Sequence, residues 1–138
     1  MLNEYSVGDS RDLLKKVDSK SVDLVYIDPP YCTGRDFYHF DDRFKSSADY
    51  RELLMRPILT ECHRILSNVG NIVVHVEPKV SHHIRILLDD IFGEKRFKNE
   101  IVWVSGGNHK SKKQLQLSLI HISEPTRQAE ISYAVFCL

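Results

Sequence analysis

The chain has 138 residues, of which 42% are hydrophobic and 28% are charged, and its formal net charge is zero. That length supports at most one ordinary domain, and the balanced charge supplies no electrostatic argument for binding nucleic acid. No apolar run is long enough to span a bilayer, and the N-terminal residues lack the pattern of a signal peptide, so we expect a cytoplasmic protein. The three cysteines have an odd count and no CxxC spacing, which argues against both a disulfide framework and a zinc site.

Apolar periodicity predicts strands that alternate with helices along the chain. Strands are predicted at residues 4–7, 22–27, 71–76 and 100–104. Helices are predicted at residues 10–16, from 49 to an end at 68–70 with a kink at Pro57, and at 79–92 before Gly93. This order predicts an α/β fold with a mainly parallel, doubly wound sheet that is only partly present.

The strand at residues 22–27 ends in the sequence Asp28-Pro29-Pro30-Tyr31. Neither proline can donate a backbone hydrogen bond, so the ladder stops there and presents Asp28 and Tyr31 at the carboxyl end of the strand. Ligands of open α/β sheets bind at that edge, which predicts a functional site. A rigid strand exit with a structural carboxylate and a packing tyrosine is the alternative explanation.

Four segments, one of which contains this tetrad, carry a resemblance to a known family. They are GDS at residues 8–10, VDLVYIDPPYCTGRDFYHFDD at 22–42, HRILSNVGNIVVHVE at 63–77 and LLDDIFGEKRFKNEIVW at 87–103. Together they resemble the β-group DNA amino-methyltransferases of the adenine-N6 type, which include the methylation subunits of type III restriction systems. The resemblance implies an incomplete Rossmann-like methyltransferase fold and S-adenosylmethionine as the cofactor.

The same resemblance gives the four motif residues catalytic roles. The Asp28 carboxylate and the Pro29 carbonyl accept hydrogen bonds from the two hydrogens of an exocyclic amine, and Pro30 keeps these acceptors rigid. Tyr31 stacks on a base that has been flipped out of the duplex. The methyl group then transfers in line from the sulfonium, and Asp28 also lies against the cofactor.

Other candidate residues rest on weaker patterns. Asp9 is a candidate cofactor contact, although a Gly-Asp turn after a strand is equally well explained as structural. Arg35, Phe37 and Tyr38 are candidates for lining the pocket that faces DNA, with a solvated loop as the alternative. Cys32 departs from the resemblance, since relatives often carry Asn in that position. The histidines lack metal-ligand spacing with acids and are expected to be packing or surface residues: His75, His82 and His83.

The predicted function is therefore site-specific adenine-N6 methylation of DNA. Cytosine-N4 methylation is the first alternative, because the DPPY tetrad leans toward adenine only as a family tendency. A non-catalytic α/β module that binds nucleic acid is the second. The resemblance implies double-stranded DNA as a partner, a restriction subunit and a second copy of the parent as candidate protein partners, and no membrane.

The last 22 residues differ in character from the rest. LSLIHISEPTR at residues 117–127 and ISYAVFCL at 131–138 resemble the translation of a transposon adapter used in preparing sequencing libraries. The alternative explanation is an amphipathic C-terminal strand. We therefore predict a division into residues 1–116, the amino-terminal part of a methyltransferase catalytic domain, and residues 117–138, a non-native tail. Such a fragment is expected to be inactive alone.

Overall fold

The structure is a computed structural model that describes residues 4–34, 36–37, 40–41, 44–104 and 117–123. Within these residues no helix is both long and apolar enough to cross a membrane. The strands are β1 (Val22–Ile27), β2 (Asp36–Phe37), β3 (Phe40–Asp41), β4 (Leu66–Val76), β5 (Phe97–Val104) and β6 (Leu117–Ser123). The α-helices are α1 (Ser10–Leu13), α2 (Ser47–Asp49), α3 (Arg56–Ile65) and α4 (Pro78–Phe92). Short 3₁₀ turns, Leu14–Lys16 and Glu94–Arg96, follow α1 and α4.

Four strands form one sheet in the order β1-β4-β6-β5. β1 pairs with β4 in parallel, and β6 pairs with both β4 and β5 in antiparallel fashion. β1, β4 and β5 therefore run in one direction and β6 runs against them. This confirms the predicted α/β fold with a mainly parallel, partial sheet. β1 lies at the edge of the described sheet.

The core lies on one face of this sheet. Alternate residues of β4, including Ile72 and Val74, are fully buried in one cluster with side chains from α3 and α4. The other face carries exposed apolar side chains such as Leu24 and Tyr26 of β1. Since neighbouring residues in a strand point to opposite faces, the described helices cover one side of the sheet and leave the other open.

The predicted strand at residues 4–7 is wrong. These residues form no strand, and Tyr5 and Val7 are exposed. A short strand needs pairing with a sheet to be stable, and residues 4–7 pair with no strand of the described sheets. The apolar pattern of four residues therefore has no structural counterpart here.

The long helix has an irregular winding before Pro57, and it ends earlier than predicted. The winding is π-helical over Tyr50–Met55, immediately before the segment with Pro57, and the kink at Pro57 stays a prediction. Proline lacks an N–H and crowds the preceding turn, and a wider turn relieves that crowding. The helix ends at Ile65, and β4 begins at Leu66 rather than at residue 71. The early start lets Leu66 pair with Val22 of β1.

Residues 117–123, which the sequence analysis assigns to the adapter-like tail, form the inner strand β6. His121 in this strand is buried, and neither of its ring nitrogens has a hydrogen-bond partner. Its Nδ1 atom lies 3.4 Å from Glu100 Oε2 of β5. A buried polar group without a hydrogen bond opposes folding, so β6 contains a poorly accommodated residue at its centre. The division at residue 116 stays a prediction.

The stability of β6 should fall at mildly acidic pH. Burial lowers the pKa of His121 from its ordinary value of 6.5, while Glu100 and Asp89 act against this shift and Arg85 of α4 acts with it. The folded chain thus binds fewer protons than the unfolded chain below about pH 6.5, and protons favour unfolding there. Hydrogen exchange of β6 amides, corrected for intrinsic rates, should quicken between pH 7 and 5.

The variant His121→Leu should lose this pH dependence and protect β6 better at neutral pH. His82→Leu is the matched control, because His82 is exposed on α4. Equal pH dependence in wild-type protein and His121→Leu would show that His121 is accommodated without cost.

Candidate active site

The candidate site lies at the carboxyl ends of β1 and β4. Ile27 of β1 pairs in parallel with Val74 of β4. Asp28 directly follows Ile27, and His75 directly follows Val74, so the two side chains occupy neighbouring positions at the same edge. The Asp28 side chain is 54% exposed and that of His75 is 25% exposed. A ligand can therefore reach the carboxylate from solvent.

Three side chains meet at this edge. The Tyr31 hydroxyl donates a hydrogen bond to Asp28 Oδ1. His75 Nδ1 lies 3.7 Å from the same carboxylate oxygen. The rings of Tyr31 and His75 are in edge-to-face contact, with centroids 6.0 Å apart and an interplanar angle of 66°. Asp28, Tyr31 and His75 thus form one interacting cluster.

The Tyr31 phenol is held in its protonated form. The pKa of Tyr31 lies well above its usual range. Partial burial is the main cause, and the hydrogen bond to Asp28 is the second. Both effects oppose a negative charge on the phenol oxygen. Tyr31 is consequently a hydrogen-bond donor to Asp28 throughout the physiological pH range.

The turn after the tetrad has an unusual backbone. Cys32 is 7% exposed and has a φ of 56°, in the left-handed region. Residues with a Cβ atom seldom adopt this region, but asparagine does so more readily than most. The Asn expected here from the resemblance therefore suits the backbone, and Cys32 adopts the same conformation. Lys79 Nζ donates a hydrogen bond of 3.1 Å to the Cys32 carbonyl oxygen.

The structure brings two of the predicted site residues into direct contact, Asp28 and Tyr31. Pro29 and Pro30 are half-buried in the connecting turn. Asp9 caps α1 by accepting a 2.9 Å hydrogen bond from the Arg11 backbone N–H. The Arg11 side chain also holds the pKa of Asp9 down at about 2. A structural role for Asp9 is thus observed, and its contact with a cofactor stays a prediction.

The residues predicted to face DNA lie mostly outside the described ranges. Arg35 and Tyr38 lie outside the described residues, and only the backbone of Phe37 is described, paired with Phe40. Their role in lining a pocket remains a prediction.

His75 is a site residue that the sequence analysis missed. It was expected to be a packing or surface residue, whereas it contacts both Asp28 and Tyr31. The signal that could have identified it is its position near the end of the second buried strand, because adjacent parallel strands end at the same edge. Among the described residues, no cluster of acids, histidines and cysteines could hold a metal ion.

A family model described as DNA methylase, for N6 and N4 methyltransferases, matches residues 22–131. This match covers most of the chain, including the cluster at the carboxyl edge of the sheet. The chain therefore belongs to the DNA methylase family of N6 and N4 amino-methyltransferases. The match crosses residue 116 and continues into the predicted tail.

Several curated proteins are similar to this chain. Type II methyltransferase M.KpnI of Klebsiella pneumoniae is 35% identical over 107 residues, covering 73% of this chain and 26% of M.KpnI. DNA adenine methyltransferase YhdJ of Escherichia coli is 30% identical, covering 70% of this chain and 31% of YhdJ. The StyLTI Mod subunit belongs to a type III restriction-modification enzyme of Salmonella typhimurium. It is 25% identical, and the match covers 73% of this chain and 20% of the subunit. The chain spans about a third or less of the length of these relatives.

Solved structures share the fold. A putative DNA modification methylase of Thermus thermophilus, TTHA0409, has a TM-score of 0.63 at 20% identity, covering 88% of this chain and 52% of its own. The PvuII DNA methyltransferase, described as cytosine-N4-specific, has a TM-score of 0.64 at 15% identity. The match covers 87% of this chain and 48% of the PvuII chain. These matches confirm the predicted Rossmann-like methyltransferase fold, and this chain spans about half the length of the two solved chains.

Proposed function

We propose that this chain is part of a DNA methyltransferase that acts on a base flipped out of the duplex. The enzyme transfers a methyl group from S-adenosylmethionine to the exocyclic amine of adenine, the N6 nitrogen. The observation that carries the proposal is the accessible Asp28 carboxylate at the carboxyl edge of the sheet, within the segment matched to the DNA methylase family. Tyr31 lies beside it as the candidate stacking residue.

The chemistry follows from the poor nucleophilicity of the amine. Its lone pair is delocalised into the ring, and two acceptors on its hydrogens localise the lone pair on nitrogen. Asp28 supplies one acceptor through its carboxylate and Pro29 the other through its carbonyl, while Pro30 stiffens the turn between β1 and Tyr31. Because these acceptors are fixed in advance, little reorganisation is needed during the reaction.

Tyr31 connects base capture to the acceptor. Its hydroxyl donates a hydrogen bond to Asp28 Oδ1, and the amine of the base would need a carboxylate oxygen of this kind as its own acceptor. If the ring turns to stack on a flipped base, the hydroxyl leaves Asp28. One movement would then provide the aromatic surface and release the acceptor together.

The cofactor assignment rests on the family and on the reaction type. TTHA0409 has been solved in a complex with S-adenosyl-L-methionine. When bound, this cofactor supplies an electrophilic methyl group. In this chain Asp28 and Asp9 are the residues that we propose to approach it.

Adenine is the proposed base because Asp opens the tetrad and because a relative named as an adenine methyltransferase is 30% identical. The cytosine-N4 enzyme among the solved structures is 15% identical and informs only the fold. Cytosine N4 is the alternative substrate. A non-catalytic binding module has no need for a carboxylate and a carbonyl at one strand exit, so we favour an enzyme.

The proposed partners follow from the same relatives. Double-stranded DNA is the substrate, and the similarity to type III Mod subunits supports a restriction subunit as a protein partner. We also propose that residues 1–116 are the native part and that residues 117–138 are an adapter-derived tail. The parent protein that contains residues 1–116 is then the active form.

In the parent protein, Asp28→Ala should abolish methyl transfer and leave DNA affinity unchanged. The carboxylate acts on the amine and the methyl donor rather than on the duplex, so turnover should fall by about a hundredfold or more. Transfer of tritiated methyl groups to duplex DNA and a DNA-binding titration measure the two effects. Asp18→Ala, in the exposed turn before β1, is the matched control. Near-normal turnover of Asp28→Ala would remove Asp28 from the mechanism.

Tyr31→Ala should weaken capture of the flipped base. Stacking of a base on an aromatic side chain is worth about 1–3 kcal/mol, which Ala cannot supply. The measurement is the fluorescence increase of 2-aminopurine placed at the target position. Tyr26→Ala controls for loss of an exposed tyrosine from the same region. Equal flipping by Tyr31→Ala and the wild-type parent would exclude Tyr31 as the stacking residue.

A further inference from the structure

The segment that joins β4 to α4 contacts the motif turn at two separate points. This β4–α4 junction comprises residues 75–79. At one point His75 meets the Asp28 carboxylate and the Tyr31 ring. At the other point Lys79 donates a hydrogen bond to the Cys32 carbonyl. The junction thus contacts the beginning and the end of the turn that carries the tetrad.

Lys79 is placed unfavourably with respect to its own helix. It is the second residue of α4, whose first turn contains no acid. The N-terminal end of a helix carries partial positive charge, so a cation there is disfavoured. What the lysine gains instead is a charge-assisted hydrogen bond to a carbonyl 47 residues earlier in the chain.

That carbonyl belongs to the residue with the unusual backbone. Cys32 adopts the left-handed conformation and its side chain joins the buried core. Such a conformation persists only where the surrounding structure holds it. The Lys79 hydrogen bond and the burial of the Cys32 thiol are two restraints of this kind. Tyr31 is the adjacent residue, so the same restraints limit where its ring can lie.

We propose that the β4–α4 junction positions the motif turn, and that Lys79 is a positioning residue which holds Cys32 in its left-handed conformation and thereby orients Tyr31. The purpose of this restraint rests on the proposed function, because it fixes the Tyr31 backbone at the site while the ring can still turn toward a base. The restraint itself does not depend on any reaction and can be measured in the 138-residue chain.

Alkylation of the cysteines by iodoacetamide, resolved residue by residue with peptide mass spectrometry, tests the proposal. Cys32 is 7% exposed and Cys62 is fully buried. Lys79→Met keeps an unbranched side chain of similar length and removes the charge and the donor. It should raise the alkylation rate of Cys32 by about tenfold, the effect expected for losing one charge-assisted hydrogen bond. The Cys62 rate should stay at its wild-type value.

Two further variants separate positioning from general stability. Lys79→Arg should restore slow alkylation of Cys32, because a guanidinium can donate to the same carbonyl. Lys95→Met removes an exposed lysine from the 3₁₀ turn after α4 and should leave the alkylation rates of Cys32 and Cys62 unchanged.

Three results would overturn the proposal. Cys32 could react at the wild-type rate in Lys79→Met, which would mean that the hydrogen bond restrains nothing. Cys32 and Cys62 could accelerate together, which would mean that Lys79 acts on the whole fold. Cys32 of the wild-type chain could also react as fast as in the urea-unfolded chain. None of these readouts uses DNA or cofactor, so failure of methyl transfer by the parent would leave them interpretable.

Discussion

The parallel pairing of β1 with β4 is the constraint on which the site depends. It sets Ile27 opposite Val74, and the next residue of each strand then enters the site, Asp28 from β1 and His75 from β4. The register is fixed by burial, because a shift of β1 by one residue along β4 would turn Val25 from the core to the open face. Gly70 adds to this, since a Cβ atom there would lie 2.9 Å from the Val22 carbonyl oxygen.

A second level of organisation acts on the turn itself. The two prolines stop the strand, the left-handed Cys32 redirects the chain, and the β4–α4 junction contacts the turn from the side of the neighbouring strand. Rigid support of this kind suits a site that must fix two acceptors before a substrate arrives. The Asp28 carboxylate already accepts a hydrogen bond from the Tyr31 hydroxyl.

The sequence was sufficient for features that depend on local chemistry. Strand β1 was predicted with the bounds observed, from a near-continuous apolar run closed by Pro29 and Pro30. Helix α4 was predicted to within a residue because Gly93, with its positive φ, closes it. Contacts between distant segments could not be predicted in this way. His75 and Lys79 join the site only through strand pairing and helix placement, and the early start of β4 at Leu66 depends on a partner strand.

The central claim is that this edge of the sheet activates an exocyclic amine. Its most direct test is the identity of the methylated nucleoside. Duplex DNA would be treated with the parent protein and isotope-labelled S-adenosylmethionine, digested to nucleosides and analysed by mass spectrometry. The account predicts label in N6-methyladenine, whereas N4-methylcytosine would keep the mechanism and change the base. Label in 5-methylcytosine would contradict the claim, because methylation of a ring carbon makes no use of acceptors on an amine.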